Sequence, residues 1–389
     1  MPDEKLPLRG LTVVEFSTSV AAPFAGQVLA DLGARVMKVE NPEHGDDARN
    51  WGPPFADNGM SPVFNSFNRN KQSLAVNLKD ENERRKLRAF IVRHADIVLQ
   101  NLRPGLLASL GFDGKSLRED APRLIWCDMH AFGARGPKKM QPGYDPLMQA
   151  CGGIMSITGL EGHEPVRVGP SIVDQGTGMW AVIGILAALR ERELTGEGSE
   201  VSTSLYETAI GWVPVQIATY FLNGKVPRKF GTENFGYAPC KAYEAKGGWL
   251  MLAAGNDRLY KKLTDVIGDA EFANDPDFAS NPQRVENREK LNARLQDLIG
   301  RGQRDDWVER LNAVGVPAAP ILSLDEVVAD PQFDAIEMEQ TLPAEDMRLI
   351  GVPLTFDGVR PPLRHGPPAL GNATHLLDED EDNRKEAAQ

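Results

Sequence analysis

One acidic residue, Asp174, is the strongest candidate for covalent chemistry in this sequence. Gly176 and Gly178 follow it and leave backbone N–H groups uncovered, and the apolar residues from Met179 to Leu189 have the spacing of a helix that is buried nearly all round. An aspartate in this position ordinarily caps the helix. It can also be a nucleophile, because the positive end of a helix keeps a carboxylate ionised. These residues alone leave both roles open.

A second acid, Asp145, follows Tyr144 and precedes another apolar segment. Two acids in one site can divide nucleophilic and proton-handling roles, whereas a loop aspartate more often forms a turn. His130 stands where we expect a loop at the end of a strand, and a lone histidine is more often structural than catalytic. We therefore expect Tyr144 and Asp145 to bind substrate beside Asp174, and we leave His130 outside the site.

Composition argues against several classes of protein. The 389 residues (42.6 kDa) suffice for two domains, and the formal charge of -12 with a pI near 5.1 argues against nucleic acid or an anionic membrane as a partner. We expect no secretion signal and no apolar run long enough to cross a bilayer. The three cysteines lie far apart without the spacing of a metal site, which is typical of reduced thiols in a cytoplasm. We expect a cytoplasmic protein without a metal.

The N-terminal residues predict a β-α-β unit. Leu11–Phe16 has the composition of a strand, a loop of small residues follows, a helix begins at Pro23, and a second strand spans residues 34–40. Further strands are predicted at residues 73–78, 95–99 and 123–127. Because these strands end in polar loops, we predict an α/β fold with a doubly wound parallel sheet and a site along one edge. The first loop lacks the three glycines of a dinucleotide site, which disfavours a nicotinamide cofactor.

The rest of the chain predicts a second domain. Residues 206–230 are expected to form a linker helix, and residues 231–323 a small α+β domain with a hairpin around Lys246-Gly247-Gly248. Its helices are predicted at residues 257–267, 285–300 and 306–314. After residue 342 the chain is rich in proline and is predicted to be extended. The acidic run at residues 378–382 is predicted to be disordered.

Nine stretches carry a resemblance to a known family. They are Leu8-Arg9-Gly10-Leu11, Ala30-Asp31-Leu32-Gly33-Ala34, Lys38-Val39-Glu40, Asn68-Arg69-Asn70-Lys71, Arg103-Pro104-Gly105, Phe132-Gly133, the segment from Asp174 to Gly198, Ala329-Asp330-Pro331-Gln332 and Pro367-Pro368-Ala369-Leu370-Gly371. In this order, over almost the whole chain, they resemble the class III coenzyme A transferases. This is the CaiB/BaiF group, which includes formyl-CoA:oxalate and carnitine CoA transferases.

The resemblance implies an interlocked homodimer. In each chain, a large Rossmann-like domain built from residues 1–205 and 324–389 binds CoA, and the smaller domain is spliced between these two segments. By position, Asp174 resembles the nucleophile of the family. The positions on or beside the CoA contacts of the family correspond to Ser19, Val20, Ala21, Arg49, Val76, Lys79, Asn101, Leu102 and Arg103. The lid that some members place over the active site corresponds to Asn234, Phe235 and Gly236.

The implied reaction moves CoA from an acyl-CoA thioester to a free carboxylic acid. Asp174 would form a mixed anhydride with the acyl group and then a thioester with CoA, so neither a metal nor a nucleotide cofactor is needed. The alternative within the same fold is an alpha-methylacyl-CoA racemase, which uses a His-Asp pair. The histidine of that pair would fall at position 144, which is Tyr144 here, so we rank the racemase second.

Overall fold

The computed structural model describes residues 5–57, 59–342 and 347–387, which divide into two units. As far as they are described, Met1–Ile154, Arg167–Phe221 and Gln332–Gln389 form the larger unit, and Met155–Val166 with Leu222–Pro331 form the smaller. The segment Met155–Val166 therefore differs from its predicted assignment to the large domain. The return to the larger unit begins at Gln332 and not at residue 324.

A parallel sheet lies at the centre of the larger unit. Its strands are β1 (Thr12–Phe16), β2 (Arg35–Glu40), β3 (Lys71–Ala75), β4 (Ile97–Gln100), β5 (Ile125–His130) and β6 (Glu200–Ser204). They lie in the order β3-β2-β1-β4-β5-β6, and every neighbouring pair is parallel. β1, β2 and β4 are almost completely buried, as expected of a sheet that is covered on both faces. The predicted parallel sheet is confirmed.

The remaining strands of the described residues form two antiparallel sheets. These strands are β7 (Cys240–Ala245), β8 (Gly248–Ala253), β9 (Ala318–Pro320), β10 (Glu339–Leu342) and β11 (Met347–Ile350). In the smaller unit the order is β7-β8-β9, and β7-β8 is the predicted hairpin, with Gly247 at a φ of +86° in the turn. β10 pairs with β11, and β11 lies in the region that was predicted to be extended.

Helices connect and cover these sheets. They are α1 (Ala21–Asp31), α2 (Pro62–Asn68), α3 (Glu81–His94), α4 (Leu106–Ser109), α5 (Gly114–Asp120), α6 (Asp145–Cys151), α7 (Ile154–Ile157), α8 (Ile172–Thr195), α9 (Leu205–Gly211), α10 (Pro214–Asn223), α11 (Asp257–Ile267), α12 (Ala270–Ala273), α13 (Asn281–Glu286), α14 (Arg288–Ile299), α15 (Arg304–Ala313), α16 (Leu324–Val328), α17 (Pro331–Ala335) and α18 (His375–Ala387). The predicted linker helix is divided into α9 and α10, because Pro214 lacks an N–H and its ring interrupts a continuing helix. The helix predicted at residues 285–300 is divided into α13 and α14 at Asn287.

Helix α8 differs from the helix predicted around residues 179–189. It begins at Ile172, and one face of it is not buried, since Met179, Trp180 and Ile183 are each about half exposed. By length and hydropathy it is the one helix in the described part of the chain that could cross a membrane, which the sequence did not lead us to expect. Its opposite face is buried in the larger unit, where Gly178 packs against α1. This packing is that of a core helix.

The acidic end of the chain forms α18, so the prediction of disorder is wrong. Asp378 and Glu381 bind Lys86 on α3, at 2.5 and 3.2 Å from its Nζ. Asp380 binds Arg93, also on α3, at 2.7 Å. The basic residues of α3 thus supply counter-charges to this acidic helix.

Candidate active site

The loops that follow β1 and β4 meet where the strand order reverses. β1 and β4 are neighbours, but the connections from them run outward in opposite directions and leave a crevice at the carboxyl edge of the sheet. Ser19-Val20-Ala21 follows β1, and Asn101-Leu102-Arg103 follows β4. The structure therefore brings together six of the positions that the resemblance assigned to CoA.

The loop after β1 is held in a conformation that its sequence does not favour. Ser19 has a φ of +69°, and this left-handed value costs a residue other than glycine about 1 kcal/mol or more. Asn101 holds the preceding residue, because its side chain accepts the Thr18 N–H (3.0 Å) and donates to the Thr18 carbonyl (2.9 Å). Asp46 accepts the Ser19 N–H (3.1 Å). Side chains from neighbouring strand ends thus fix this loop.

Helix α1 begins directly after this loop, without a side-chain cap. Val20 stands in the N-cap position and has no side-chain hydrogen bond to offer. The N–H groups of the first helical turn have no intrahelical carbonyl to bind. These N–H groups lie at the positive end of the helix, so they can bind an anionic oxygen.

Asp145 caps α8, which is the role that the sequence allowed for Asp174. One oxygen of Asp145 accepts the N–H groups of Val173 (2.7 Å) and Asp174 (3.2 Å), and the other accepts Nε2 of Gln149 (2.6 Å). Asp174 is the third residue of the helix. Asp145 is only 2% exposed and both of its oxygens are bonded within the chain, which disfavours the predicted contact of its side chain with substrate. Asp145 instead fixes the backbone of Asp174.

The carboxyl of Asp174 is half-buried, and within the described residues its oxygens have no hydrogen-bond or ion-pair partner. Burial, and to a lesser extent the charge of Asp145, raise the pKa of Asp174 to about 7. The positive end of the helix was expected to keep Asp174 ionised, which would lower its pKa. The pKa is raised instead, because desolvation and the charge of Asp145 outweigh the helix dipole. Near neutral pH the group is present in both forms. Its ionised form is more basic than an ordinary aspartate.

Close packing directs this face of α8 toward α1. A Cβ at Gly178 would lie 2.7 Å from the carbonyl oxygen of Ala21 and 2.7 Å from the ring of Phe24. Asp174 precedes Gly178 by four residues and therefore lies on the same face of α8. The open carboxyl and the uncapped start of α1 consequently belong to facing helices at one edge of the sheet. This arrangement suits attack on a carbonyl carbon.

Comparison with known proteins decides the family. The family model described as "CoA-transferase family III" matches residues 8–374. The chain belongs to CoA-transferase family III. It is therefore an enzyme that transfers CoA, and its substrates are CoA thioesters. Within the described residues of this transferase, no group of three or more His, Cys, Asp or Glu side chains could hold a metal ion.

Relatives of the transferase match it over nearly their whole lengths. The acetyl-CoA:oxalate CoA-transferase of Acetobacter aceti is 35% identical over 94% of this chain and 93% of its own. The succinate–glutarate CoA-transferase of Agrobacterium fabrum is 35% identical over 95% of this chain and 94% of its own. A solved structure of a CaiB/BaiF family protein from Brucella suis is 37% identical, with a TM-score of 0.86 over 96% of this chain and 99% of that one. The CaiB/BaiF resemblance is confirmed.

Of the transferase's three other candidate CoA contacts, Arg49 and Val76 are closed, whereas Lys79 is open, as is Arg103 in the loop after β4. Arg49 is 8% exposed, and its guanidinium donates to both oxygens of Glu40 (2.9 and 2.7 Å). Val76 is 2% exposed in the core of the larger unit. Lys79 and Arg103 are exposed. The side chains of Arg49 and Val76 therefore serve the fold, whereas Lys79 and Arg103 are available to a ligand.

The remaining predicted positions of the transferase lie in different units. Tyr144 is 60% exposed and precedes the capping Asp145, so its ring is available to a substrate. Asn234-Phe235-Gly236 lies in the smaller unit, where Oδ1 of Asn234 accepts the Gly236 N–H (2.9 Å). Arg288 donates to the carbonyls of Asn234 (2.9 Å) and Phe235 (3.0 Å). The lid role of this segment stays a prediction.

Sequence reasoning missed the buried charges beneath the first loop of the transferase. Glu15, Lys38 and Asp46 are each at most 1% exposed. Lys38 Nζ donates to the carbonyl (3.0 Å) and to the hydroxyl (2.8 Å) of Ser17. A signal was present, because Glu15 and Lys38 each stand between two apolar residues of a predicted strand, and a charge buried there must have a partner.

Proposed function

We propose that this transferase moves CoA from an acyl-CoA to a free carboxylic acid through covalent intermediates at Asp174. The observation that carries the proposal is the state of the Asp174 carboxyl, which is half-buried, has a pKa of about 7 and has no hydrogen-bond partner among the described residues. The acid beside it, Asp145, is fully bonded. Perturbed, unpartnered carboxyls in a crevice are typical of catalytic groups.

Substitution takes place at two carbonyl carbons, that of the acyl-CoA thioester and that of the Asp174 carboxyl. The Asp174 carboxylate attacks the thioester carbon and expels CoA thiolate, which leaves a mixed anhydride. The thiolate then attacks the Asp174 carbonyl carbon of that anhydride and releases the donor acid, which leaves an aspartyl-CoA thioester. The acceptor carboxylate repeats these two steps in reverse and leaves as the new acyl-CoA. Thioester energy is conserved, so ATP is not consumed.

Each attack creates an anionic oxygen that must be stabilised. The N–H groups of the first turn of α1 are the donors that we assign to this task, because α1 has no side-chain cap and faces α8. A preorganised donor of this kind contributes about 3 kcal/mol to an acyl-transfer transition state. Exclusion of water protects both covalent intermediates from hydrolysis.

The acceptor that we propose is a small dicarboxylic acid. Relatives at 31–35% identity are named for oxalate, glutarate, D-citramalate and L-malate. Exposed Tyr144 supplies a hydroxyl and an aromatic ring next to Asp145, which caps the start of α8. A panel of dicarboxylates and monocarboxylates, assayed with succinyl-CoA and acetyl-CoA as donors, tests this choice. Equal kcat/KM for dicarboxylates and their monocarboxylate analogues would contradict it.

Trapping of the intermediate tests the mechanism. Incubation with acyl-CoA followed by hydroxylamine should convert Asp174 to its hydroxamate, which peptide mass spectrometry detects as a mass increase on that residue alone. Transfer that proceeds with an unmodified Asp174 would overturn the proposal. Incorporation of solvent deuterium at the α-carbon of the acyl group, without acyl exchange, would instead indicate the racemase.

Replacement of Lys79 by alanine is expected to raise the KM for acyl-CoA about fivefold at low ionic strength. The side chain is exposed on the loop that follows β3, where an ammonium group can bind a CoA phosphate. The effect should shrink at high salt, because exposed charges are screened. Steady-state kinetics at two salt concentrations measure it, with Lys261→Ala in the smaller unit as the control. An unchanged KM at low salt would refute the contact.

We infer that a second copy of the chain covers the exposed apolar face of α8. Met179, Trp180 and Ile183 are about half exposed there, and Phe221 and Leu222 in α10 are about four-fifths exposed. Apolar side chains that are exposed in such numbers are typical of a protein interface. We predict that Ile183→Glu shifts the protein from dimer to monomer in analytical ultracentrifugation, while Val359→Glu does not. A dimer that survives Ile183→Glu at micromolar concentration would exclude this face.

A further inference from the structure

A cluster of buried charges lies under the loop that precedes α1. Its three acids and three bases are each at most 8% exposed, and they are Glu15, Glu40, Asp46, Lys38, Lys71 and Arg49. Ion pairs join Lys38 to Asp46 (2.9 Å), Lys71 to Glu15 (2.9 Å) and Arg49 to Glu40 (2.7 Å). None of these groups has a part in the proposed chemistry. Because apolar residues could fill the same volume at lower cost, a cluster of this kind calls for a functional reason.

Three consecutive residues of the loop are each held by a different side chain. Lys38 binds the Ser17 carbonyl (3.0 Å), Asn101 binds both backbone groups of Thr18, and Asp46 accepts the Ser19 N–H (3.1 Å). The Lys38–Asp46 ion pair joins the first and the third of these contacts. The loop is thus fixed at both ends by one buried pair.

The position of Asp46 is itself fixed from two directions. Its N–H donates to Oε1 of Glu40 (2.9 Å), and its Oδ1 accepts the Ala48 N–H (3.0 Å) together with that of Ser19. The residue that it holds, Ser19, is in the left-handed conformation, which a free loop would leave. Release of this contact would let Ser19 relax and would move the start of α1, since α1 begins two residues later.

We propose that Lys38 and Asp46 are positioning residues of the transferase, which hold the loop 17–19 so that the first-turn N–H groups of α1 meet the oxyanion formed at the thioester carbon. Neither residue touches the substrate, because both are buried beneath the loop. The inference rests on the proposed function, in which the start of α1 faces the nucleophile. It assigns the buried cluster to the stabilisation of the transition state.

Variants of Asp46 separate positioning from simple stability. Asp46→Ala removes the acceptor of the Ser19 N–H, whereas Asp46→Asn keeps an oxygen there. The matched control is Asp31→Ala at the other end of α1, where Asp31 is 2% exposed and pairs with Arg69 (2.7 Å). Asp31 has no contact with the loop, so the control removes a buried ion pair of the same kind. Both alanine variants are expected to lower the unfolding temperature.

The readouts are kcat for CoA transfer and the Kd for free CoA, each measured below the unfolding transition. Asp46→Ala should lose about a hundredfold in kcat, as expected of a shift of about 1 Å at a reacting centre, with Kd changed less than about threefold. Asp46→Asn should retain kcat to within about tenfold, and Asp31→Ala to within about threefold. An equal loss of kcat in Asp46→Ala and Asp31→Ala would overturn the proposal, as would no loss in either.

A second series keeps the test decisive if Asp46→Ala does not fold. Ser19→Gly removes the hydroxyl and accepts the left-handed conformation without strain. Ser19→Val also removes the hydroxyl but disfavours that conformation, so its kcat should be at least about tenfold below that of Ser19→Gly. Equal kcat in the two variants would refute the positional requirement. A wild-type enzyme that forms no Asp174 adduct would instead refute the proposed function, which is a distinct outcome.

Discussion

Replacement of Asp174 by asparagine is expected to abolish CoA transfer while leaving the protein folded. Asparagine is nearly isosteric, but its amide cannot attack a thioester, so kcat should fall at least about 10³-fold. The Kd for free CoA should stay within a few-fold of wild type, because Asp174 meets the acyl end of the substrate in the proposed reaction and not the nucleotide. Single-turnover release of CoA, followed with a thiol reagent, measures the loss directly.

The same variant carries a prediction about stability. Burial raises the pKa of Asp174 from 3.8 to about 7, so the folded state binds a proton that the unfolded chain releases. The ionised carboxylate therefore lowers stability, and this cost grows as the pH rises from about 4 to 7 and is constant above 7. Asp174→Asn lacks the charge, so its unfolding temperature should equal or exceed that of wild type, with the largest gain above pH 7.

Thermal unfolding at pH 5 and pH 8 tests this point, with Asp265→Asn on the exposed surface of α11 as the control. A loss of stability in Asp174→Asn at pH 8 would mean that the carboxylate has a stabilising partner, and the description of an open nucleophile would then fail. Turnover within tenfold of wild type, in protein free of deamidated material, would remove Asp174 from the mechanism.

The sequence was most informative where a local pattern has one physical solution. The β-α-β pattern at residues 11–40 allows little besides a parallel sheet, and the hairpin around Gly247 requires a glycine in the turn. The loops after β1 and β4 could also be anticipated as neighbours, because the carboxyl ends of parallel strands share one edge of a sheet. These features depend on residues that are close in sequence.

Features that depend on long-range pairing were not predictable in this way. An arginine such as Arg49 can bind a phosphate, but in the folded chain its guanidinium is paired with Glu40. The acidic end forms α18 against the basic side chains of α3, which supply its counter-charges. The capping of α8 by Asp145 joins positions 28 residues apart. Spacing alone cannot reveal which of two acids will be the cap and which will be left open.

The second large effect that we expect is a shift in the pH dependence of Asp174 when the charge of Asp145 is removed. In wild type, the rate of acyl-enzyme formation should rise with pH through a midpoint near 7, since only the ionised Asp174 attacks and burial and Asp145 raise its pKa to about 7. Asp145→Asn removes the negative charge, and its amide oxygen can still accept the Val173 and Asp174 N–H groups. The midpoint should therefore move to lower pH, while remaining above that of a free aspartate because the burial persists.

Asp145→Ala removes both the charge and the helix cap. Its comparison with Asp145→Asn therefore separates the effect of the charge from the effect of the cap. Loss of a helix cap costs about 1 kcal/mol and frees the first turn of α8, so this variant should show the lower midpoint together with a plateau rate reduced about tenfold or more. Gln149→Ala is the matched control. Nε2 of Gln149 donates to Asp145 (2.6 Å), but among the described hydrogen bonds the Gln149 side chain makes none to α8. Pre-steady-state rates from pH 5 to 9 at saturating acyl-CoA measure both quantities. If the midpoint stays near 7 in Asp145→Asn, the neighbouring charge has no part in setting the nucleophile, and burial alone accounts for its pKa.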